Sequence, residues 1–363
     1  MKLLKVFVWA LLLLPITSHA VDLDKELVEK MLNATVRVVN YQEGRVLGTG
    51  VGAGVIISKS GLILTNYHVV HKSQELKVYL WKDRYRKPHA AKVIGTDPIA
   101  DLALLDIDPR PNEVLRPAEL ESEVPDIYAG TEVIAVGHPL SLQWSVSRGI
   151  INAINRSSFI TPYVFLIQHD AAINEGNSGG PLFNAKGNLI GINTYIIAPK
   201  DSGYSGMGYA VQLDSVSRSL TQMMELGVVI RPALKLNIIP LTDDLRNFIE
   251  QKEDPAPFIP NTFGVVMNFL EEEALEQGLQ NFDVIVAMDG FPINDMRDIA
   301  TIMYDKTPGQ TVYLLINRNG EFVLKPYVLG SLDMDLTYYD RGDRSSVPPK
   351  REKPKDTESP TKE

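Results

Sequence analysis

Asn174-Glu175-Gly176-Asn177-Ser178-Gly179-Gly180-Pro181 sets one serine among three glycines, with strand-like apolar sequence on both sides. A serine hydroxyl is a poor nucleophile at neutral pH and needs an adjacent base and donors for a developing oxyanion. Glycines around it let the chain turn sharply and let a substrate carbonyl approach main-chain N–H groups. The same composition also makes an ordinary turn between two strands. The segment alone leaves both readings open, and the choice rests on what precedes it.

Upstream, short apolar segments alternate with polar or glycine turns at residues 35–39, 55–57, 62–64, 76–80, 91–94 and 102–105. A second series follows at 132–136, 146–154, 164–168, 181–183, 189–192 and 208–211, after a Pro- and Glu-rich connection over 106–126. Strands this short and regular predict a barrel or sandwich, not alternating βαβ units. Gly48-Thr49-Gly50-Val51-Gly52-Ala53-Gly54 matches Gly-x-Gly-x-x-Ala but runs into a strand. It reads as a tight strand entry, not a dinucleotide loop. One-sided apolar stripes predict helices over residues 22–33 and 213–226, the second ended by Gly227.

The first series contains Thr65-Asn66-Tyr67-His68-Val69-Val70 and Asp97-Pro98-Ile99-Ala100-Asp101-Leu102-Ala103. Asp97-Pro98 is turn chemistry. Asp101 directly precedes an apolar strand, where a partly buried carboxylate can orient an imidazole. His71, three positions after His68, suggests a metal pair, but no third ligand is evident nearby. His68, Asp101 and Ser178 supply base, orienting carboxylate and nucleophile in the order His…Asp…Ser. His138 and His169 have no assignable acidic partner and read as structural or surface residues.

These three blocks, the last extending from Asp170 to Pro181, resemble the catalytic blocks of the HtrA/Deg serine proteases. The resemblance spans about Ala34 to Gly330. It implies a mainly β chain, a chymotrypsin-like double β-barrel protease domain followed by a smaller α+β PDZ domain. It also implies that His68 is the general base, Asp101 its orienter and Ser178 the nucleophile, with the backbone N–H groups of Gly176 and Ser178 as the oxyanion hole. Ile192, Asn193 and Thr194 would line the primary specificity pocket, where the absence of an acidic residue favours a small aliphatic substrate side chain. Residues 197–207 correspond to a loop that switches between active and inactive arrangements in the family. Glu175 stands where the family commonly has proline. The long first-barrel insertion of some members is replaced by the short Gln42-Glu43-Gly44-Arg45-Val46 turn.

After Arg231-Pro232, strand patterns at 264–267, 283–290 and 311–318 and helix patterns at 273–278 and 296–305 resemble a single PDZ domain. Such domains capture an extended C-terminal peptide by adding it to a sheet edge. The carboxylate-binding turn aligns with Leu234-Lys235-Leu236, where Lys235 replaces the usual glycine.

The chain has 363 residues, a net charge of −9 and no cysteine. It therefore has no disulfide, no cysteine nucleophile and no thiolate zinc site, and its acidic balance argues against a nucleic-acid partner. No cofactor and no metal are expected. Lys2 and Lys5, an apolar run over 6–14, Pro15 and Ser18-His19-Ala20 read as a signal peptide cleaved after Ala20, leaving no stable membrane span. The expected organisation is signal 1–20, protease domain 21–228, PDZ domain 229–331 and a charged, disordered tail 332–363. The expected protein is an exported, periplasmic endopeptidase of unfolded or damaged proteins that binds C-terminal peptides, with a homo-trimer implied by the family. The alternatives are a regulatory protease for one membrane or signalling partner and a chaperone-like binding protein.

Overall fold

A computed structural model describes residues 23–42, 50–81, 87–120, 127–138, 144–156, 164–196, 207–252 and 262–332. The expected signal peptide, most of the 197–207 loop and all but the first residue of the tail lie outside the described residues.

Helix α1 (Lys25–Ala34) lays Leu27, Val28, Met31 and Leu32 against the main core. That spacing is one face of a helix. Six strands follow: β1 (Thr35–Tyr41), β2 (Gly50–Ile56), β3 (Leu62–Thr65), β4 (Glu75–Leu80), β5 (His89–Asp97) and β6 (Leu102–Ile107). They close in the order β1-β2-β3-β6-β5-β4, with β1 also pairing β4 antiparallel. Alternate residues point to opposite faces of a strand. Val36, Val38, Ile63 and Leu105 thus fill one cluster, while Leu64, Leu102 and Leu104 face the main core. A single helical turn, α2 (Tyr67–Val70), leaves the end of β3.

The second barrel uses β8 (Glu132–Gly137), β9 (Ser145–Arg156), β10 (Leu166–His169), β11 (Pro181–Asn184), β12 (Asn188–Ile196) and β13 (Gly208–Gln212). These run β11-β8-β9-β10-β13-β12 and close through β11–β12, with the short β7 (Glu119–Leu120) added parallel to β12. Val133, Ile151, Ile167, Leu182, Ile190 and Ala210 pack together in a second-barrel cluster. Helix α3 (Leu213–Leu226) ends as the sequence predicts. Gly227 takes a left-handed φ of 73° and its N–H bonds Met223 O at 3.1 Å. Only glycine adopts that cap without steric cost.

Arg231, four residues beyond the Gly227 cap, turns back towards the first barrel. Its guanidinium reaches the carboxylate of the wholly buried Asp97 and lies 3.1 Å from Ser219 Oγ, which itself donates to Asp97 at 2.6 Å. Asp97 also accepts Ala100 N–H at 3.1 Å, so it is both a turn residue and half of an ion pair. Removing one partner of a buried pair strands the other charge, at a cost of about 3–5 kcal/mol. Arg231→Met is expected to lower unfolding free energy in urea by that amount, and pairing it with Asp97→Asn to recover part of the loss. Equal stability of parent and Arg231→Met would refute the assignment.

The C-terminal unit comprises β14 (Pro232–Ala233), β15 (Ile238–Pro240), α4 (Asp243–Lys252), β16 (Val265–Met267), α5 (Glu272–Glu276), β17 (Val284–Met288), β18 (Phe291–Pro292), α6 (Met296–Met303), β19 (Thr311–Arg318), β20 (Glu321–Val328) and β21 (Gly330–Ser331). Its sheet runs β15-β16-β17-β19-β20 over a separate core that includes Val265, Ile285, Ile299, Met303 and Leu314. A capping box at Asp295 starts α6, with Asp298 as its return partner. Just beyond α6, Tyr304 stacks on Phe165 at 5.4 Å and lies under the Arg218 guanidinium at 4.5 Å. Burial pushes the Tyr304 hydroxyl up to about 12. Among the described residues no helix is long and apolar enough to cross a membrane.

Candidate active site

The site lies where the two barrels meet. Turn α2 brings His68 beside the loop that follows β5. His68 Nδ1 is 2.6 Å from Asp101 Oδ2, and the His68 backbone N–H donates to Asp101 Oδ1 at 2.9 Å. Thr194 Oγ1 donates to Asp101 Oδ2 at 2.7 Å from the second barrel. Asp101 adopts φ 54°, a left-handed conformation that aspartate tolerates better than most residues. Its carbonyl is fixed by Asn66 Nδ2 at 2.8 Å and Tyr67 N–H at 3.1 Å. A carboxylate facing Nδ1 keeps the proton there and leaves Nε2 as the acceptor.

Ser178 approaches from the other barrel. Its carbonyl accepts Ala53 N–H at 2.8 Å. A Cβ built on Gly52 would lie 2.6 Å from Val69 Cγ2 and 3.0 Å from Ser178 O, so that glycine lets the histidine and serine segments converge. Among the described residues no hydrogen bond joins Ser178 Oγ to His68 Nε2. Such bonds are often long in ligand-free sites. Gly179 is constrained twice. Its φ is 83°, and a Cβ there would sit 2.4 Å from both Ala53 O and Thr65 Oγ1.

Asn177 N–H bonds Asn174 O at 3.0 Å, and Gly176 has φ 101°. An i to i+3 bond with positive φ at the third residue defines a type II turn, with Glu175 in the second position. His138 N–H holds Gly176 O at 3.2 Å. Among the described residues the N–H groups of Gly176 and Ser178 have no backbone acceptor. Sequence reasoning missed the part played by His138, because a backbone donor leaves no side-chain signature.

Ile192, Asn193 and Thr194 are all fully buried. Ile192 belongs to the main core, and Thr194 is committed to Asp101. Asn193 Nδ2 donates to Gly180 O at 3.2 Å and Pro181 O at 3.0 Å. Its main chain exchanges bonds with Gly179 N and Gly180 O at 2.8 and 2.9 Å. The neighbouring 197–206 segment lies outside the described residues.

Neither His138 nor His169 is a surface residue. His138 packs edge-on against Trp144 at 5.1 Å, and burial, with Arg37 nearby, lowers its affinity for a proton. Burial pushes His169 down to about 4, against the opposing pull of Asn193 and Asp170. His169 is therefore neutral at neutral pH.

In the C-terminal domain Leu234 O accepts the Tyr327 hydroxyl, and Leu236 packs on the core. Lys235 has φ 49°, so it keeps the left-handed backbone a glycine would take. Its side chain crosses Gly330 and pairs with Glu273 at 3.4 Å. Next to it, β15 is the terminal strand of its sheet.

A family model for a trypsin-like peptidase domain matches residues 52–192, and one for a PDZ domain matches residues 248–324. The structure of an HtrA-type protease, AlgW, with a tripeptide is 31% identical, with TM-score 0.72, and the match covers 85% of this chain and 97% of that one. The chain belongs to the HtrA-type serine proteases. A serine endoprotease from Yersinia pestis, another solved relative, is 26% identical with TM-score 0.64, over 85% of this chain and 97% of that one. A probable periplasmic DegP-like serine endoprotease of Pseudomonas fluorescens is 35% identical over 291 residues, 79% of this chain and 58% of that protein. The chain spans about half the length of the curated relatives it matches.

Proposed function

We propose that this HtrA-type chain is an exported serine endopeptidase acting on unfolded or damaged proteins. The 2.6 Å contact between His68 Nδ1 and Asp101 Oδ2 carries the reading. It leaves Nε2 free to take the Ser178 proton as Oγ attacks the scissile carbonyl. Asp101 stabilises the resulting imidazolium, which then protonates the leaving amine. The N–H groups of Gly176 and Ser178 receive the oxyanion, each donor of this kind contributing about 10²–10³ in rate. A small aliphatic side chain before the scissile bond suits the segment Ile192, Asn193 and Thr194, which itself carries no acidic residue to pair with lysine or arginine. The periplasmic names of relatives support export to the bacterial periplasm. The peptide complexes of AlgW support peptide binding by this chain. The open β15 edge would take such a peptide, with Leu234, Lys235 and Leu236 presenting backbone donors. A homo-trimer completes the reading, and a monomeric mass by light scattering would remove that part alone.

A fluorophosphonate probe tests the chemistry. Stoichiometric labelling of Ser178, with or without peptides bearing hydrophobic C-termini, is the expected result. No labelling under either condition would overturn the protease reading in favour of a binding protein.

Glu175 offers a second handle. It occupies the second position of the type II turn, where proline is favoured, and its N–H donates no hydrogen bond among the described residues. Glu175→Pro is expected to stabilise the loop by about 0.4–1 kcal/mol through a stiffer unfolded chain. It should also speed fluorophosphonate labelling in the absence of peptide. Slower labelling would show that this turn is not the one the reaction uses.

A further inference from the structure

Strands β10, β13 and β12 lie side by side in the second barrel. His169 on β10 stands opposite Gly208 on β13, and Asn193 on β12 stands opposite Ala210. Positions 208 and 210 share one face of the pleat. Between the imidazole and the amide, the middle strand therefore presents a glycine and an alanine on that face. The outer strands are about 10 Å apart, two strand spacings. The small residues between them leave two polar side chains room to reach across that gap. The ring lies directly on Gly208, where a Cβ would sit 2.8 Å from His169 Cε1 and 3.1 Å from Nε2. A larger residue at 208 would block the approach.

His169 is fully buried, and neither ring nitrogen has a partner of full hydrogen-bond geometry among the described residues. Asn193 Oδ1 is in the same condition. The interaction between the two side chains opposes the effect of burial on the imidazole, as expected for a ring N–H directed at a carbonyl oxygen. Buried polar groups are costly to leave unmatched, so each supplies what the other lacks. At its other end, the Asn193 amide holds Gly180 O and Pro181 O, immediately after the nucleophile and Gly179. Rotating that amide by half a turn would aim its oxygen at two carbonyl oxygens. A donor on the far side fixes the orientation that grips the loop.

We propose that His169 is a positioning residue for the nucleophile loop, acting through the side-chain amide of Asn193. This rests on Ser178 being the nucleophile. His169 itself touches neither substrate nor the reacting atoms. It sets the amide, the amide sets Gly180 and Pro181, and these set Ser178. A histidine that only filled space would be replaceable by any side chain of its shape.

The test uses the full chain at pH 8, with an unfolded protein substrate and a fluorophosphonate probe. His169→Phe keeps a flat ring without the donor, and His169→Gln keeps an N–H. His169→Phe is expected to lower kcat and labelling rate about tenfold, with KM changed by less than about twofold. His169→Gln should restore both rates to within about threefold of the parent. In an Asn193→Ala background, His169→Phe should cause no further loss, because the residue it acts through is gone. Parent-like rates in His169→Phe would overturn the proposal, as would equal losses in the Phe and Gln variants, or losses that multiply in the double variant. Should His169→Phe show no cooperative melting transition, His169→Leu is compared with His169→Gln by the same criteria. A parent chain that never labels would overturn the protease reading and this proposal with it. A parent that labels alongside an unaffected His169→Phe removes this proposal alone.

Discussion

Ser178→Ala is expected to lower kcat on an unfolded protein substrate by about six orders of magnitude while leaving the fold intact. The substitution removes one oxygen and keeps Cβ. The loop is shaped by main-chain bonds of Ser178 O with Ala53 N, Gly179 N with Asn193 O and Gly180 N with Asn177 O, and by the Asn193 side-chain amide on Gly180 O and Pro181 O. None involves the hydroxyl. Ser178 also lacks the positive φ that would make its replacement a backbone question. The N–H donors of Gly176 and Ser178 survive, so a residual acceleration over water of about 10³–10⁴ should persist. Steady-state cleavage and a thermal melt of the same sample decide the matter. Turnover within tenfold of the parent would show that the hydroxyl is not the nucleophile. A lost melting transition would move the effect from chemistry to folding.

The protease fold was legible because its strands announce themselves one at a time. Both series of six apolar segments became strands, and the glycine-rich entry became β2 (Gly50–Ile56). Closure was not legible. The β11–β12 pairing that seals the second barrel depends on twist and register summed over the sheet, which no local pattern carries. Helix α4 escaped notice because little of it faces a core. Ile249 is buried while Phe248 is exposed, and its remaining residues are mostly polar. Asp97 shows the limit most clearly. Its turn role follows from Pro98 beside it, but its ion-pair partner Arg231 lies 134 positions away. Lys235 teaches a related point. A residue type that departs from the family pattern can still adopt the left-handed backbone open to glycine, and the φ of 49° reveals it where the residue type does not.

The candidate site divides along the same line. His68, Asp101 and Ser178 could be named because each sits in a characteristic block. The donors that orient them could not. The resemblance places Thr194 and Asn193 along the specificity pocket and says nothing of their side chains, which bond Asp101 and the residues after Ser178. A hydroxyl and an amide inside an apolar strand signal only that they must find partners once buried. The partner of Thr194 is set by the packing of one barrel on the other, and those of Asn193 by the pairing of β11 with β12.

Asp101→Asn is therefore the sharper test of how the site works, with kcat expected to fall about 10⁴-fold and KM little changed. Asparagine is nearly the same size and is, with aspartate, among the residues that best tolerate left-handed backbone, so the φ of 54° adds no strain. The carbonyl contacts with Asn66 and Tyr67 are untouched, since they use the main chain. What changes is the count of acceptors. The Asp101 carboxylate serves three donors, the His68 N–H, the His68 ring and Thr194 Oγ1. An amide offers one oxygen and one NH₂ group. With its oxygen on the His68 backbone N–H, its NH₂ faces Nδ1 and forces the imidazole proton onto Nε2. That tautomer presents Ser178 with a donor where the reaction needs an acceptor. Turning the amide over leaves the backbone N–H facing another N–H. Either arrangement loses the negative charge that stabilises the imidazolium. Comparing kcat and KM for parent and Asp101→Asn, with melting temperatures alongside, separates these consequences from unfolding. A kcat within tenfold of the parent would mean that Asp101 holds the loop in place without acting on the base.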